Sequence, residues 1–413
     1  MTSHIKHGTS LSTSFFHAVC GWSAVALVFA APVSRSLFIV AGLVFTLSWL
    51  AEGNHRAKWQ LLQDNPITAP VLVLSAVVLV WSLFSPAPWE AVQHTLKVYS
   101  KLPLVLMLVT TLSDERWRQR AWWGFLAAML LVVLSTYGNV VFDLPWSRTR
   151  NQGLGQDHSV FIEHVSQSLM TAIFVAVCVH RAIECRTQKP RWTWITLALL
   201  ALISMVFLVQ ARSGLVALAV AVAVLLVMHI PRDRLVWVAG AAMLLSTLLI
   251  VASPLMRDRL VLAYSEVVNY KPFELTSLGA RIDMWRFALG QSVEHPLTGT
   301  GAGTYRELAA QHFGHCTWVC EHPHNQYLFF SMEYGLLGLA AFLWLVWRVF
   351  VTALKSVSPE RTLLLVFVSI LAVDSLFNVP LWFRGQSYFF FTTLALLVAT
   401  VRTPLGTAAR PLN

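Results

Sequence analysis

Long apolar stretches, separated by short polar joints, recur along almost the whole chain. Of 413 residues, 56% are apolar and only 12% are charged, whereas about a quarter of the residues of a soluble domain are charged. Stretches of roughly 17 to 25 apolar residues match the length of a helix that crosses a bilayer core. Because lipid offers the backbone no hydrogen-bond partners, such segments form helices. The sequence therefore predicts an all-α integral membrane protein and excludes a soluble enzyme.

The apolar pattern predicts about twelve transmembrane helices and one long loop. We expect helices near residues 15–31, 36–52, 69–84, 98–112, 120–138, 160–181, 191–209, 213–230, 233–252, 326–352, 360–377 and 386–402. The first apolar run lacks a small-residue cleavage site and leads directly into another span, so we expect it to remain as a helix. The predicted division is residues 1–252 with helices one to nine, residues 253–325 as a loop or cap, and residues 326–413 with helices ten to twelve and a tail.

The distribution of Lys and Arg predicts the orientation of the helices. The two tails and alternate joints hold 17 basic residues, against 7 in the short joints opposite, and the richer side is cytoplasmic by the positive-inside rule. Both termini are then cytoplasmic, and residues 253–324 lie in the periplasm. The net charge of +10 is spread over many joints, so it does not indicate nucleic-acid binding.

The long loop has the pattern of a small helical cap. Leu278, Ile282, Trp285 and Leu289 recur at helical spacing, and His295-Pro296 then predicts the end of that helix. A second short helix is expected over 305–313. The glycine run at 299–303 follows a helix rather than a strand, so it indicates a turn and not a nucleotide-binding loop.

Arginines fall at the predicted outer boundary, where a charge costs free energy unless it pairs or reaches water. The least easily explained is Arg212, in the tight joint Gln210-Ala-Arg-Ser-Gly214. A ring of guanidinium groups suits a diphosphate, because each group can hold two phosphate oxygens. The other cations predicted at this boundary are Arg148, Arg150, Arg281, Arg286 and Arg384, with Lys97 and Lys101 as weaker candidates.

Histidines and cysteines cluster just before the tenth predicted helix. The set comprises His312, His315, Cys316, Cys320, Glu321, His322, His324 and Asn325. By ligand type it is a zinc candidate, but the Cys-x3-Cys spacing and an oxidising compartment favour a disulfide between Cys316 and Cys320. Free thiols are the third alternative. A histidine at a helix start is also often only a polar cap. Asp374, Asn378 and Gln386, near the last outer joint, fit either sugar binding or packing.

At His324-Asn325, followed after nine residues by Gly335 and after two more by Gly338, the chain resembles the bacterial O-antigen ligase and polymerase superfamily. The resemblance extends to the joint at 210–214 and to two runs at 279–285 and 295–301, and covers roughly residues 205–340. It implies a GT-C-like glycosyltransferase architecture and transfer of an oligosaccharide from undecaprenyl diphosphate to an acceptor. The length near 400 residues and the single large loop look most like the ligase, whose acceptor is a sugar hydroxyl of lipid A-core. A polymerase or a protein O-oligosaccharyltransferase is the alternative.

The resemblance also implies roles for particular residues. His324 is expected to take the proton of the attacking hydroxyl, while Arg212 and Arg281, with Arg286, stabilise charge on the departing diphosphate. Asn325 either orients His324 or caps the helix, and His322 and Lys101 are further substrate-binding candidates. Guanidinium groups can replace a divalent ion, so we expect no metal and no cofactor.

A transporter of lipid-linked oligosaccharide is the alternative from another class. Transporters usually bind at mid-membrane through charged or broken helices. Here the predicted spans carry almost no charge and the polar groups gather at one face, which favours an enzyme.

Overall fold

The computed structural model describes residues 11–150, 152–209, 211–274, 276–314 and 318–401. Within these ranges the chain is helical and contains no strand, which confirms the all-α fold class. In chain order, the α-helices of these ranges are α1 (Leu11–Ala30), α2 (Arg35–Glu52), α3 (His55–Gln63), α4 (Thr68–Leu83), α5 (Trp89–Tyr99), α6 (Lys101–Leu112), α7 (Glu115–Val141), α8 (His164–Glu184), α9 (Gln188–Ile203), α10 (Arg212–His229), α11 (Arg232–Ala252), α12 (Pro254–Val268), α13 (Gly279–Glu294), α14 (Tyr305–Phe313), α15 (Gln326–Lys355), α16 (Arg361–Asp374) and α17 (Arg384–Val398).

Each of the twelve predicted spans coincides with one of these helices. Among the described residues, seven helical segments are long and apolar enough to cross a bilayer, and α5 and α6 together form one of them. An eighth results if α3 and α4, which meet at 104°, form one broken span. The total of twelve spans and the division into three parts stay predictions.

Three helices do not appear in the sequence prediction: α3, α5 and α12. Each mixes polar and apolar residues, so a search for long apolar runs does not detect it. In α3, for example, Lys58 and Leu62 are buried while most of the other side chains are exposed or partly exposed. The two helices predicted within the loop are confirmed as α13 and α14, and α13 ends at Glu294, immediately before His295-Pro296.

The bundle buries α8 at its centre and exposes apolar side chains on its outer helices. Helix α8 packs against α9, α10 and α16, and its polar residues bond to neighbours: Gln167 Nε2 donates to Thr136 Oγ1 at 2.8 Å. On α11, by contrast, Val236 is 77% and Trp237 81% exposed. Apolar side chains on the outside of a helix bundle are what a lipid environment selects.

Charged groups are also buried within helices, contrary to the sequence expectation for the spans. Glu333 in α15 is 1% exposed and Lys101 in α6 is 6% exposed. Glu333 accepts a hydrogen bond from the backbone N–H of Tyr305 at 3.2 Å. This carboxylate therefore ties the start of α14 to the buried side of α15.

The glycine run at 299–303 forms a turn, as predicted, and it docks into a kink of α15. The backbone N–H groups of Thr300 and Gly301 donate to the carbonyls of Met332 and Glu333 at 2.7 and 3.0 Å. Gly335 leaves the helical conformation, with φ of 64°, and its neighbour Leu336 donates to the carbonyl of Pro296 at 2.8 Å. The turn therefore fastens the segment between α11 and α15 to the bundle, at the place where the helix ladder is interrupted.

Candidate active site

Three segments converge at the end of the bundle that carries α13. They are the start of α10, with Arg212; the first turn of α13, with Arg281; and the loop before α15, with His322 and His324. Arg212 and His322 both interact electrostatically with Arg281. Residues more than a hundred positions apart in the sequence therefore form one cluster.

Arg212 is held by close helix packing and by the loop before α13. A Cβ atom at Gly214 would lie 2.5 Å from the Cβ of Ser168, so only glycine lets the first turn of α10 approach α8 this closely. Arg212 donates to the Ser277 hydroxyl at 3.1 Å, and the carboxylate of Glu266 accepts the N–H of Leu278 at 2.9 Å. These contacts place the guanidinium beside the beginning of α13. Gln210 of the same joint lies outside the described residues.

Arg281 is surrounded by both signs of charge. Burial lowers its pKa, the neighbouring charge of Arg212 lowers it further, and Asp374 and Glu266 act in the opposite direction. Its Nε is buried and has no hydrogen-bond partner among the described residues. Because the charges of Arg212 and Arg281 repel each other, an anion placed between them would be stabilised.

His324 has a strained backbone and a neutral side chain. Its φ is +50°, a region that costs a residue with a side chain on the order of 1–3 kcal/mol. Burial lowers the pKa of His324 well below its usual value, and electrostatic interactions with His322 and Arg281 lower it further, while a hydrogen-bonding interaction with Asn378 raises it. The imidazole is therefore unprotonated at neutral pH and able to accept a proton.

The surroundings of the imidazole fix its orientation. The ring centroid of His322 lies 4.3 Å and that of Trp318 5.7 Å from the His324 ring. The backbone N–H of His324 donates to Nδ1 of His322 at 3.3 Å, and burial lowers the pKa of His322 to about 3. Asn378 donates in turn to the Asp374 carboxylate at 2.6 Å. His324 therefore lies within a chain of polar side chains that ends at a buried acid.

Asn325 caps α15. Its Oδ1 accepts the N–H of Leu328 at 3.0 Å, and its Nδ2 donates to the carbonyl of Leu376 at 3.1 Å. Both ends of the amide are therefore occupied by backbone, which supports the capping alternative. The cap also ties the His324 loop to the segment after α16.

Other predicted cations have partners away from this cluster. Arg286 is exposed and donates to the Tyr270 hydroxyl at 3.0 Å. Arg148 lies 3.8 Å from Glu163, and Arg150, 72% exposed, lies 4.0 Å from Asp143. Burial raises the pKa of Glu163 to about 7, against the effect of Arg148. The structure thus brings Arg212 and Arg281 into one cluster with His324. The other three arginines, Arg148, Arg150 and Arg286, contact other residues.

Arg384 and Lys101 belong to a second group of polar side chains. Arg384, the first residue of α17, donates to Nε2 of His94 at 2.8 Å. Lys101 is buried and donates to the carbonyl of Val98 at 2.6 Å. His94 was not singled out by the sequence, because a lone histidine in an amphipathic stretch carries no spacing signal.

Sequence reasoning also missed Glu266 and Ser277, which position the two arginines of the first cluster. Both are ordinary polar residues of a long loop, and only the fold brings Ser277 to Arg212 and Glu266 to Arg281. The sequence indicates either sugar binding or packing for Asn378 and Asp374; in the structure Asn378 interacts with His324 and donates to Asp374. A carboxylate at the end of an apolar run, as at Asp374, was the available signal.

The cysteine and histidine cluster is only partly described. His315, Cys316 and Thr317 lie outside the described residues, so the disulfide between Cys316 and Cys320 and the zinc alternative stay predictions. Within the described ranges, His, Cys, Asp and Glu side chains form no group of three placed to hold a metal ion.

A helical bundle with long apolar segments and a polar cluster at one end defines a multi-pass membrane protein. A protein family described as O-antigen ligase matches residues 197–343, a region that includes Arg212, Arg281 and His324. The match supports membership of this chain in the O-antigen ligase superfamily.

One curated relative is an uncharacterized protein of Haemophilus influenzae. It is 26% identical over 189 residues, which cover 43% of this chain and 47% of the relative. The chain thus aligns with about half the length of the relative that it matches.

Proposed function

We propose that the protein is an O-antigen ligase. It transfers O-antigen polysaccharide from undecaprenyl diphosphate to a sugar hydroxyl of lipid A-core, at the periplasmic face of the inner membrane. The observation that carries this proposal is that an unprotonated imidazole, His324, lies in one cluster with two guanidinium groups, those of Arg212 and Arg281. The superfamily match supports the class of substrates.

The proposed reaction is a single displacement at the anomeric carbon. The acceptor oxygen forms a bond to that carbon and gives its proton to the His324 imidazole, while the bond from carbon to the diphosphate oxygen breaks. The electron pair of the broken bond remains on undecaprenyl diphosphate. One displacement inverts the anomeric centre. A base of this kind contributes on the order of 100- to 10,000-fold to the rate.

Arg212 and Arg281 stabilise the charge that grows on the diphosphate. Guanidinium groups remain protonated at physiological pH and hold phosphate oxygens in a planar fork. Their positions are fixed before the substrate binds, since Ser277 and Glu266 hold one arginine and the start of α13. Preorganised charge costs little rearrangement in the transition state. Because the two arginines stabilise the charge that a divalent ion would otherwise stabilise, we propose that the reaction needs no metal.

Reconstitution of the purified protein tests this proposal. The assay supplies undecaprenyl-diphosphate-linked O-polysaccharide and lipid A-core in liposomes with EDTA, and the product is followed as a lipopolysaccharide ladder. The proposal predicts a ladder from the wild type and none from His324→Ala. Elongated polysaccharide still on undecaprenyl diphosphate would instead identify a polymerase. Movement of the donor across the bilayer without any product would identify a transporter.

The anomeric configuration of the product provides a second test. Nuclear magnetic resonance of the new glycosidic linkage should show the configuration opposite to that of the donor. A retained configuration would contradict the single displacement.

A further inference from the structure

A second cationic group lies at the start of α17, apart from the Arg212 and Arg281 pair. The Arg384 guanidinium donates to Nε2 of His94 at 2.8 Å, so that nitrogen carries no proton and the imidazole orients the arginine. The ring of Trp382 packs edge-on against His94, with centroids 5.0 Å apart. Arg384 is exposed beyond this contact.

Further cations surround the same imidazole. Lys97 of α5 and Arg306 of α14 are exposed, and Lys101 is buried behind them; all three act electrostatically on His94 together with Arg384. The nitrogen of Lys101 lies 5.0 Å from the Tyr388 ring centroid. We call His94, Lys97, Arg306 and Arg384 the α17 cationic cluster. Its members come from the bundle and from the helix α14, which the glycine turn holds in place.

Little negative charge offsets this cluster. Among the described residues, no ion pair involves Lys97, Lys101, Arg306 or Arg384. The carboxylate of Glu163 approaches Gly385, with Oε2 3.6 Å from the position of a Cβ there. Glu163, however, faces Arg148 at 3.8 Å and accepts a hydrogen bond from Ser166. Like charges held together with little counter-charge favour the binding of an anion.

One short segment separates the two cationic groups. Within residues 379–384, the Phe383 ring centroid lies 5.8 Å from that of His322, while Trp382 packs against His94. The N–H of Leu381 donates to Oε1 of Gln326 at 3.0 Å, which fixes the segment to the start of α15. The imidazoles of His322 and His324 thus lie on one side of this segment, and the α17 cationic cluster lies on the other.

On the basis of the proposed transferase function, we propose that the α17 cationic cluster binds phosphate groups of the acceptor glycolipid. The diphosphate of the donor must lie next to the reacting carbon, and therefore beside His324 with Arg212 and Arg281. An acceptor presents a neutral hydroxyl to the same base and can carry its charges farther away. The cluster has three exposed cations and is separated from the His322 and His324 imidazoles by residues 379–384. It therefore suits phosphates attached to the lipid or to the inner sugars of such an acceptor.

A double variant, Lys97→Gln with Arg384→Gln, tests the assignment in the reconstituted enzyme. Lys271→Gln serves as the matched control, because Lys271 is 75% exposed and lies 3.9 Å from Glu274, away from the α17 cationic cluster. The assay compares lipid A-core with the same acceptor after enzymatic removal of its phosphates. Loss of charged hydrogen bonds should raise KM for the phosphorylated acceptor roughly 10-fold or more. The KM for the donor should remain unchanged in the double variant. In Lys271→Gln, neither the KM for the acceptor nor the KM for the donor should change.

Two kinetic results would overturn the proposal. One is a wild-type enzyme with equal KM for the phosphorylated and dephosphorylated acceptors. The other is a double variant whose KM rises for the donor instead, which would assign the cluster to the diphosphate.

A binding measurement separates this proposal from the transferase function itself. Radiolabelled lipid A-core is bound to the protein in nanodiscs of phosphatidylethanolamine, without donor, and phosphatidylglycerol is then added as a competitor. The proposal predicts binding that the double variant weakens and that phosphatidylglycerol does not displace. Displacement by phosphatidylglycerol at comparable concentrations would show a site for anionic phospholipid and overturn it. If the wild type binds the acceptor in this way but forms no product, the transferase function fails while the anion site stands.

Discussion

Gly335 and Leu297 are so close that a Cβ atom on the glycine would lie 2.2 Å from the leucine carbonyl oxygen. The contact joins the kink of α15 to the loop that follows α13. It also gives a physical reason for the first glycine of the His-Asn-x9-Gly-x2-Gly pattern. This glycine allows the close packing and the non-helical backbone conformation of the kink. His324 lies eleven residues earlier in the chain, just before the first turn of α15.

Gly335→Ala should therefore destabilise the protein. The substitution adds a clash and leaves a side chain at φ of 64°, a combination that costs on the order of 1–3 kcal/mol or more. Thermal unfolding in detergent measures the effect as a lowered midpoint. Gly240→Ala is the control, because a Cβ at that helical position meets nothing within 4 Å. Equal midpoints for the two variants would contradict the role of the kink.

Loss of the Asn325 side chain should weaken the start of α15. An Asn-to-Ala change at a helix cap typically costs ~1 kcal/mol, and here the bond to Leu376 is lost as well. We expect Asn325→Asp to retain most of the stability, because its carboxylate still accepts the N–H of Leu328. Chemical denaturation of both variants checks this order. If Asn325→Asp is as stable as the wild type yet inactive, the side chain contacts substrate.

The pH dependence of turnover should reflect the lowered pKa of His324. The base acts when unprotonated, so activity falls as pH drops through its pKa, and a lowered pKa moves this acidic limb below pH ~6.5, the usual value for histidine. The charge of Arg281 contributes to the lowered pKa of His324. In Arg281→Gln this pKa should therefore rise, and the acidic limb of kcat should shift to higher pH. A profile of kcat against pH measures both shifts. An acidic limb at or above pH ~6.5 in the wild type would argue against His324 as the base.

Arg281 and Arg286, five residues apart on α13, should differ in importance. Arg281 neighbours Arg212 and His324, whereas Arg286 is exposed and lies over the Tyr270 ring. Replacing Arg281 by Gln should lower kcat/KM at least 10- to 100-fold, the effect of losing one charged contact to the diphosphate. Arg286→Gln should have a much smaller effect. Steady-state kinetics with donor varied would contradict the assignment if the two variants behaved alike.

The sequence predicted most of the bundle because apolar run length is a local property. The first cap helix follows from another local property, the helical spacing of Leu278, Ile282, Trp285 and Leu289 and the stop at His295-Pro296. Helices such as α3 and α5, which mix polar and apolar residues, gave no such signal. Helix α5 matters most of these, since it carries His94 and Lys97.

The site could be predicted only in part. Arg212, Arg281 and His324 were selected by the resemblance and by their position at a predicted membrane boundary, and the structure places them together. The partners that orient them, Ser277 and Asn378, depend on which loops meet in space, and a single sequence does not carry that information. The separation of Arg384 and Lys101 from the first cluster is a tertiary property of the same kind.

The separate roles of His324 and Arg281 form the central claim, and one paired measurement tests them most directly. It determines both turnover and the binding of undecaprenyl diphosphate in wild type, His324→Gln and Arg281→Gln. We predict that His324→Gln loses on the order of 100- to 10,000-fold in kcat while it binds undecaprenyl diphosphate as tightly as wild type, and that Arg281→Gln binds it more weakly. Normal turnover by His324→Gln, or a loss of binding equal to that of Arg281→Gln, would contradict the account.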